Sequence, residues 1–223
     1  MNQKLDIVKR YAVFVIGVII NSFGIALITK AALGTSPISS VPYVLSLKFS
    51  PTLGEFTLIL NTLFILLQIV LLRKKFQPIQ LLQIVVNIIF SYCIDISMNL
   101  LGWLKVDHYL LELLVLLLGC AVLAFGITLE VAPKVLMVPG EGVVSAIATV
   151  THKEFGTVKV CFDVTLMATS VILSLLFFQQ LNGIREGTVI SAVLVGLIVK
   201  FYHKYFTWID RLFIKQPIEH SDI

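Results

Sequence analysis

The sequence predicts an all-α polytopic membrane protein: six transmembrane helices in two inverted three-helix repeats, each with a broken or re-entrant half-helix after its first span. Three observations carry this expectation. The chain of 223 residues is 58% hydrophobic and only 13% charged, with a mean hydropathy of +0.98. That leaves too few polar side chains to cover a water-soluble domain, so apolar surface must face lipid. Six apolar stretches approach the roughly twenty residues that a spanning helix needs. Finally, glycines and prolines of the first half recur in the second in one register.

The six stretches are Tyr11–Thr29, Leu53–Leu72, Ile79–Leu101, Tyr109–Val131, Val158–Phe178 and Gly187–Tyr202. Strands of a transmembrane barrel would be about half as long. The first stretch follows Lys4, Lys9 and Arg10, as in a cleaved signal peptide. Its end recurs later in the chain, so it is assigned to the mature fold. Cations cluster before the first span, between the second and third (Arg73, Lys74, Lys75), between the fourth and fifth (Lys134, Lys153) and after the sixth (Lys204, Arg211, Lys215). The other side carries Lys30, Lys48, Lys105 and Arg185. The excess places both termini of this multi-pass protein in the cytoplasm. Such scattered anchors are not a nucleic-acid footprint.

A shift of 102 residues lays Phe23-Gly24-Ile25 on Phe125-Gly126-Ile127, Pro37 on Pro139, Val41 on Val143, Gly54 on Gly156 and Asn61 on Asp163. A further gap of three brings Ser91 onto Gly196 and Asp95 onto Lys200. The expected units are residues 1–104, residues 105–206 and a cytoplasmic interfacial tail, residues 207–223, in which aromatic and basic residues mix. Three is odd, so the second unit enters the membrane from the opposite side. Repeats so related place substrate near the midplane, between halves that rock.

After the first span of each unit comes a segment too apolar for an ordinary loop and too broken for a span: Leu33–Ser46 and Val135–Ala146. Each reads as a turn and a short helix opened by Pro37 or Pro139, since proline at a first helical position lacks only an unpartnered N–H. Ser36 is a candidate cap and Gly140 a candidate sharp entry. Either the segments re-enter the membrane, where free N–H groups at their starts suit a polar or anionic ligand, or they lie at the interface.

The pattern Leu33-Gly34-x-x-Pro37, a short helix, Gly54 opening the next span, and the same scheme at Pro139 and Gly156 resembles the YczE/YyaS/YitT-type bacterial membrane proteins. The resemblance covers roughly Tyr11 to Phe206 and implies an internally duplicated protein of the cytoplasmic membrane. Members often carry an acidic residue soon after the proline. Glu141 fits this in the second half, and Ser39 and Ser40 occupy the place in the first.

Charges inside spans are costly and tend to face a cavity or a partner. Asp163 lies about 10 Å into the fifth span, with Asn61 at a similar depth from the other side. Asp95 is too short to snorkel, whereas Lys200 and Lys159 read as snorkelling anchors. Glu130 and Glu141 flank the second broken segment, as proton-exchanging carboxyls or as solvated caps. The expected substrate-binding set is Ser36, Ser39, Ser40, Asn61, Asp95, Gly140, Glu141 and Asp163. Cys93, Cys120 and Cys161 lack metal-ligand spacing and read as buried thiols. There is no Walker A sequence, H-E-x-x-H or G-x-S-x-G, so no enzyme, metal or cofactor is expected. The expected function is secondary transport of a small polar or anionic solute, coupled to protons through Asp163 or Glu141. The alternatives are a non-transporting accessory or regulatory subunit and, third, a lipid-translocating protein. Expected partners are membrane lipid, the solute, and a second copy or another membrane protein.

Overall fold

The computed structural model describes residues 3–205, and all regular structure among them is helical. The order is α1 (Gln3–Lys30), α2 (Pro37–Lys48), α3 (Leu53–Leu72), α4 (Leu82–Leu100), α5 (Tyr109–Val131), α6 (Pro139–Thr151), α7 (Phe155–Phe178) and α8 (Glu186–Tyr205). Short 3₁₀ turns at Arg73–Lys75 and Pro78–Leu81 join α3 to α4. The six long helices are apolar enough to cross a membrane. With 12 and 13 residues, α2 and α6 extend only about 18–20 Å, short of the ~30 Å hydrocarbon core. The expected tail, residues 207–223, lies outside the described residues.

The exterior bears out the composition. Ile59, Leu63, Leu66 and Val70 on α3, Leu110, Leu114 and Leu118 on α5, and Val160, Val164 and Leu176 on α7 all point outward. In water such faces would aggregate; against lipid tails they cost nothing. Cys161 belongs to this exposed surface and Cys93 is only partly covered, so Cys120 alone of the three is buried as expected.

Inside, side chains gather into two main apolar cores and a small third cluster around Leu129 and Ala132. One is built mainly from first and third spans: Phe14, Val18 and Ile28 of α1, Phe90 and Ile94 of α4, and Leu116, Cys120 and Leu123 of α5, with Ile190, Leu194 and Ile198 of α8 against them. The other joins the half-helices to the second spans: Val41 of α2, Phe64 of α3, Val143 and Val144 of α6, and Val158 and Leu166 of α7. The helix contacts follow this division, with α1 on α4 and α5, α5 on α8, α2 on α7, and α3 on α6.

At the centre α1 and α5 cross on glycine. A Cβ on Gly17 would lie 2.8 Å from Glu130 N, on Gly24 2.5 Å from Leu123 N, on Gly119 2.8 Å from Ile28 N, and on Gly126 2.5 Å from Asn21 N. Numbers rise on one helix as they fall on the other, so the two run antiparallel. Adding 102 to Gly24 and subtracting it from Leu123 turns the second contact into the fourth; the same operation turns the first into the third. Gly17 and Gly119 sit in the register that relates Gly24 to Gly126, a match the Phe-Gly-Ile identity overshadows.

The ends of α1 and α5 also correspond. Ala32 and Lys134, 102 residues apart, both take positive φ (61° and 52°). Beyond Ala32 the chain turns through Gly34, φ 120°, where a Cβ would strike the Thr188 hydroxyl. Gly140 is not the sharp entry expected; it lies inside the first turn of α6. Ser36 occupies the N-cap position of α2 without a side-chain cap bond, because its hydroxyl donates to Ser39 Oγ at 3.0 Å instead.

Candidate functional site

The two half-helices meet at their starts: a Cβ on Gly140 of α6 would lie 3.0 Å from Ile38 Cδ1 of α2. A side chain at this position would press on the Ile38 side-chain tip. Around the meeting point, Ser39 and Ser40 are buried. The Ser40 hydroxyl donates to Pro37 O at 2.6 Å and reaches Leu166 O of α7 at 3.5 Å. From α3, the Gln68 side-chain amide donates to Pro139 O at 3.2 Å, and its Oε1 would lie 2.6 Å from a Cβ on Gly142. Of the expected residues, Ser36, Ser39 and Ser40 cluster at the start of α2, and Gly140 lies against the Ile38 side chain of the same turn.

Acidic groups gather on the α6 side. Glu130 closes α5 at 2% exposure; Asn21 Nδ2 of α1 donates to its Oε1 at 2.9 Å, and its Oε2 has no partner. Glu130 is therefore no solvated cap. Glu141, in the first turn of α6, acts electrostatically on Glu130 and is itself acted on by Lys159 and Asp163. Burial holds the Glu141 carboxyl above its ordinary range, opposed by the Lys159 ammonium and reinforced by the Asp163 charge. Lys159 is an ion-pair partner as well as a span-end residue, since its Nζ donates to both Asp163 oxygens at 2.7 and 2.8 Å. The i, i+4 spacing on α7 was the available signal for that pair.

The remaining expected residues serve other contacts. Asn61 donates to Asn87 Oδ1 of α4 at 3.0 Å; no hydrogen bond joins it to Asp163, its mate in the repeat register. Asp95 receives the Thr52 hydroxyl at 2.6 Å and the Gly54 N–H at 2.8 Å, so it caps α3 beside the Thr52–Glu55 capping box. It borders an outward cleft of about 360 Å³ that also takes in Tyr43, Ser46 and Asn99. Lys200 is exposed near the end of α8.

Sequence reading missed the polar seams between the two cores. Gln68 and Gln83 exchange amide bonds at 3.1 and 3.3 Å, and Asn87 also donates to Leu58 O at 3.0 Å. Gln83, Asn87 and Ser91 recur every four residues, the spacing of one helix face, and that was the signal. On the opposite side, Thr35 N–H donates to Thr188 Oγ1 at 3.2 Å and Ser191 Oγ to Thr35 O at 3.2 Å. Gly187 N–H donates to Leu33 O at 2.8 Å. The halves differ here: α3 packs on α4 and α2 touches α8, whereas the counterparts, α7 on α8 and α6 on α4, are not among the main helix contacts of the described residues.

Comparison with known proteins agrees with the glycine and proline pattern. The sequence profile of a family of unknown function, DUF6198, matches residues 8–204. The uncharacterized protein YyaS of Bacillus subtilis (strain 168) is 24% identical over 208 residues, covering 93% of this chain and 97% of the relative. The uncharacterized membrane protein YczE of the same organism is 27% identical over 202 residues, covering 89% and 87%. No solved structure matches the chain.

Proposed function

We propose, from the premise that this chain belongs to the DUF6198 family and is a multi-pass membrane protein, that it is a secondary transporter of a small polar or anionic solute, coupled to protons. The observation that carries this reading is the approach of the two half-helices near their starts, the Ile38 side chain of α2 against Gly140 of α6, within a molecule whose two main apolar cores join through polar seams. Free N–H groups at helix starts attract polar or anionic ligands. Broken helices beside a substrate site are the usual construction of secondary transporters. Amide and hydroxyl seams exchange partners at lower cost than an interdigitated apolar core, which suits bundles that must rock.

An inverted repeat of residues 1–104 and 105–206 supports the same reading. The paired glycine contacts of α1 and α5, equivalent under the 102-residue shift, are what such a repeat requires, as are the matched turns at Ala32 and Lys134. The charge distribution favours both termini inside, and the Bacillus relatives favour a bacterial cytoplasmic membrane. In this reading Ser36, Ser39, Ser40 and Gly140 line the solute site, Glu141 and Asp163 handle the proton, and Asp95 holds α3 in place.

The test is a thermal-shift screen of the detergent-solubilised protein against a metabolite library, followed by uptake of the hit into proteoliposomes. A solute at a hundred times its dissociation constant stabilises the fold by about 2.7 kcal/mol. The expected outcome is a saturable hit, pH-gradient-driven uptake, and loss of uptake in a folded Asp163→Asn variant. A library without hits, together with stoichiometric co-purification of another membrane protein, would replace this reading with the accessory-subunit one.

A further inference from the structure

The two main cores divide the molecule into two bodies that cut across the repeats. One consists mainly of α1, α4, α5 and α8, the other of α2, α3, α6 and α7. Contacts inside each body come in repeat-related pairs: α1 on α4 matches α5 on α8, and α2 on α7 matches α6 on α3. Contacts between the bodies do not. α4 lies along α3 and α8 touches α2, but α8 on α7 and α4 on α6 are not among the main contacts of the described residues. The first body thus sits against α3 and away from α7.

One pair of glycines marks the missing contact. Gly54 of α3 abuts the Ser91 carbonyl of α4. The repeat register lays Gly156 on Gly54 and Gly196 on Ser91, so the counterpart of that contact would join Gly156 of α7 to Gly196 of α8. Both glycines face open space, with nothing among the described residues within 4 Å of an added Cβ. A helical glycine without a close neighbour gives up stability for room that this arrangement does not use.

The half-helices show the same one-sidedness. Beside α6 a cleft of about 230 Å³ opens between Gly142, Ser145 and Thr149 and the turn carrying Lys75, Gln77 and Gln80. The counterparts of Ser145 and Thr149 are Tyr43 and Leu47, and they close the equivalent space beside α2. A Cβ on Gly183, in the turn before α8, would lie 3.2 Å from Tyr43 Cδ1 and 2.9 Å from Leu47 Cδ1. Behind them Gly187 holds Leu33 O, and Thr188 and Ser191 hold Thr35. The cleft at Asp95 is separate, for it touches α2 only from Tyr43 onward and takes in none of its first turn.

We infer that this is one of two exchanging arrangements, open beside α6 and shut beside α2. In the other, the first body moves over to α7, Gly156 packs on Gly196, α4 closes on α6, and α8 releases the turn before α2. The cleft beside α6 is then the solute's way to the half-helix starts, and Lys75, the one charged group lining it, suits an anionic or polar solute. The inference rests on the repeat and deepens the transporter reading by naming its two gates; the exchange itself needs no solute.

The test is the double variant Gly156→Cys with Gly196→Cys, in the full chain with Cys93, Cys120 and Cys161 replaced by alanine, oxidised by copper–phenanthroline in proteoliposomes. Both positions have room for a side chain, so the variant should fold. The expected result is an intramolecular disulfide, formed when the second arrangement is visited. Thr188→Val removes the acceptor of the Thr35 N–H and should raise the rate roughly two- to twelvefold, the weight of one hydrogen bond. Ser191→Ala, which frees Thr35 O, serves should Thr188→Val not fold. No disulfide, or a rate that neither change moves, would overturn the exchange. A disulfide between two copies in place of the internal one would also overturn it, in favour of an interface between copies. An internal disulfide in a protein that takes up no solute would sink the transporter reading and leave the exchange standing.

Discussion

Gly126 of α5 lies directly on Asn21 of α1: a Cβ added to Gly126 would come 2.5 Å from the Asn21 backbone nitrogen. The obstacle is backbone in the middle of a helix, which cannot swing aside as a side-chain tip would. Asn21 also carries the amide bonded to Glu130, so the crossing and the enclosed carboxyl depend on one approach.

Gly126→Val and Gly24→Val should therefore each destabilise the protein by about 1–3 kcal/mol or more, the usual cost of overpacking. Gly156→Ala is the control, since that glycine is exposed with nothing within 4 Å of an added Cβ; helix propensity makes the change neutral or slightly stabilising. Thermal unfolding in detergent reads all three. Equal effects at Gly126 and Gly156 would remove the packing explanation.

The Gln68–Gln83 pair predicts a compensation. Gln68→Leu leaves the Gln83 amide and Pro139 O without their partner, at a cost of about 1–3 kcal/mol for buried groups left unpaired. Changing both glutamines to leucine removes both ends of the pair and should recover part of that loss. A double-mutant cycle on unfolding free energies checks it. Additive losses would mean that the two amides stabilise the fold independently.

Asp95 distinguishes a cap from a ligand-binding group. Removing its carboxylate in Asp95→Ala withdraws the acceptor for Thr52 Oγ1 and Gly54 N–H, which should lower stability by about 1–2 kcal/mol. Binding of a solute identified by the screen should keep its dissociation constant within a few-fold. A large loss of affinity with unchanged stability would return Asp95 to the solute site.

Much of the architecture was legible in the chain because lipid imposes a one-dimensional rule: spanning helices must be long and apolar, so hydropathy found all six, within a few residues of their ends except at the start of α1, which begins at Gln3 and not Tyr11. Pro37 and Pro139 marked the two half-helices for a local reason, since proline suits a first turn. The register that matched Gly24 to Gly126 also contained Gly17 and Gly119, but a glycine's use shows only when a neighbour arrives. Gly54 and Gly156 make the point: they match in sequence, yet one abuts the Ser91 carbonyl and the other faces open space.

Sequence by itself determined the membrane class, the number of spans, the placing of the broken segments and the serine–glycine group at their starts, all of which follow from local composition and backbone preference. Tertiary structure alone decided which polar residues find one another. It gave Asp95 to a helix cap and Asn61 to Asn87 instead of Asp163, and it buried Glu130 with one oxygen bare. Hydrogen bonds between helices depend on rotation about each helix axis, and that rotation follows from packing between residues distant in sequence, as in the close glycine crossing of α1 and α5 between residues about a hundred positions apart.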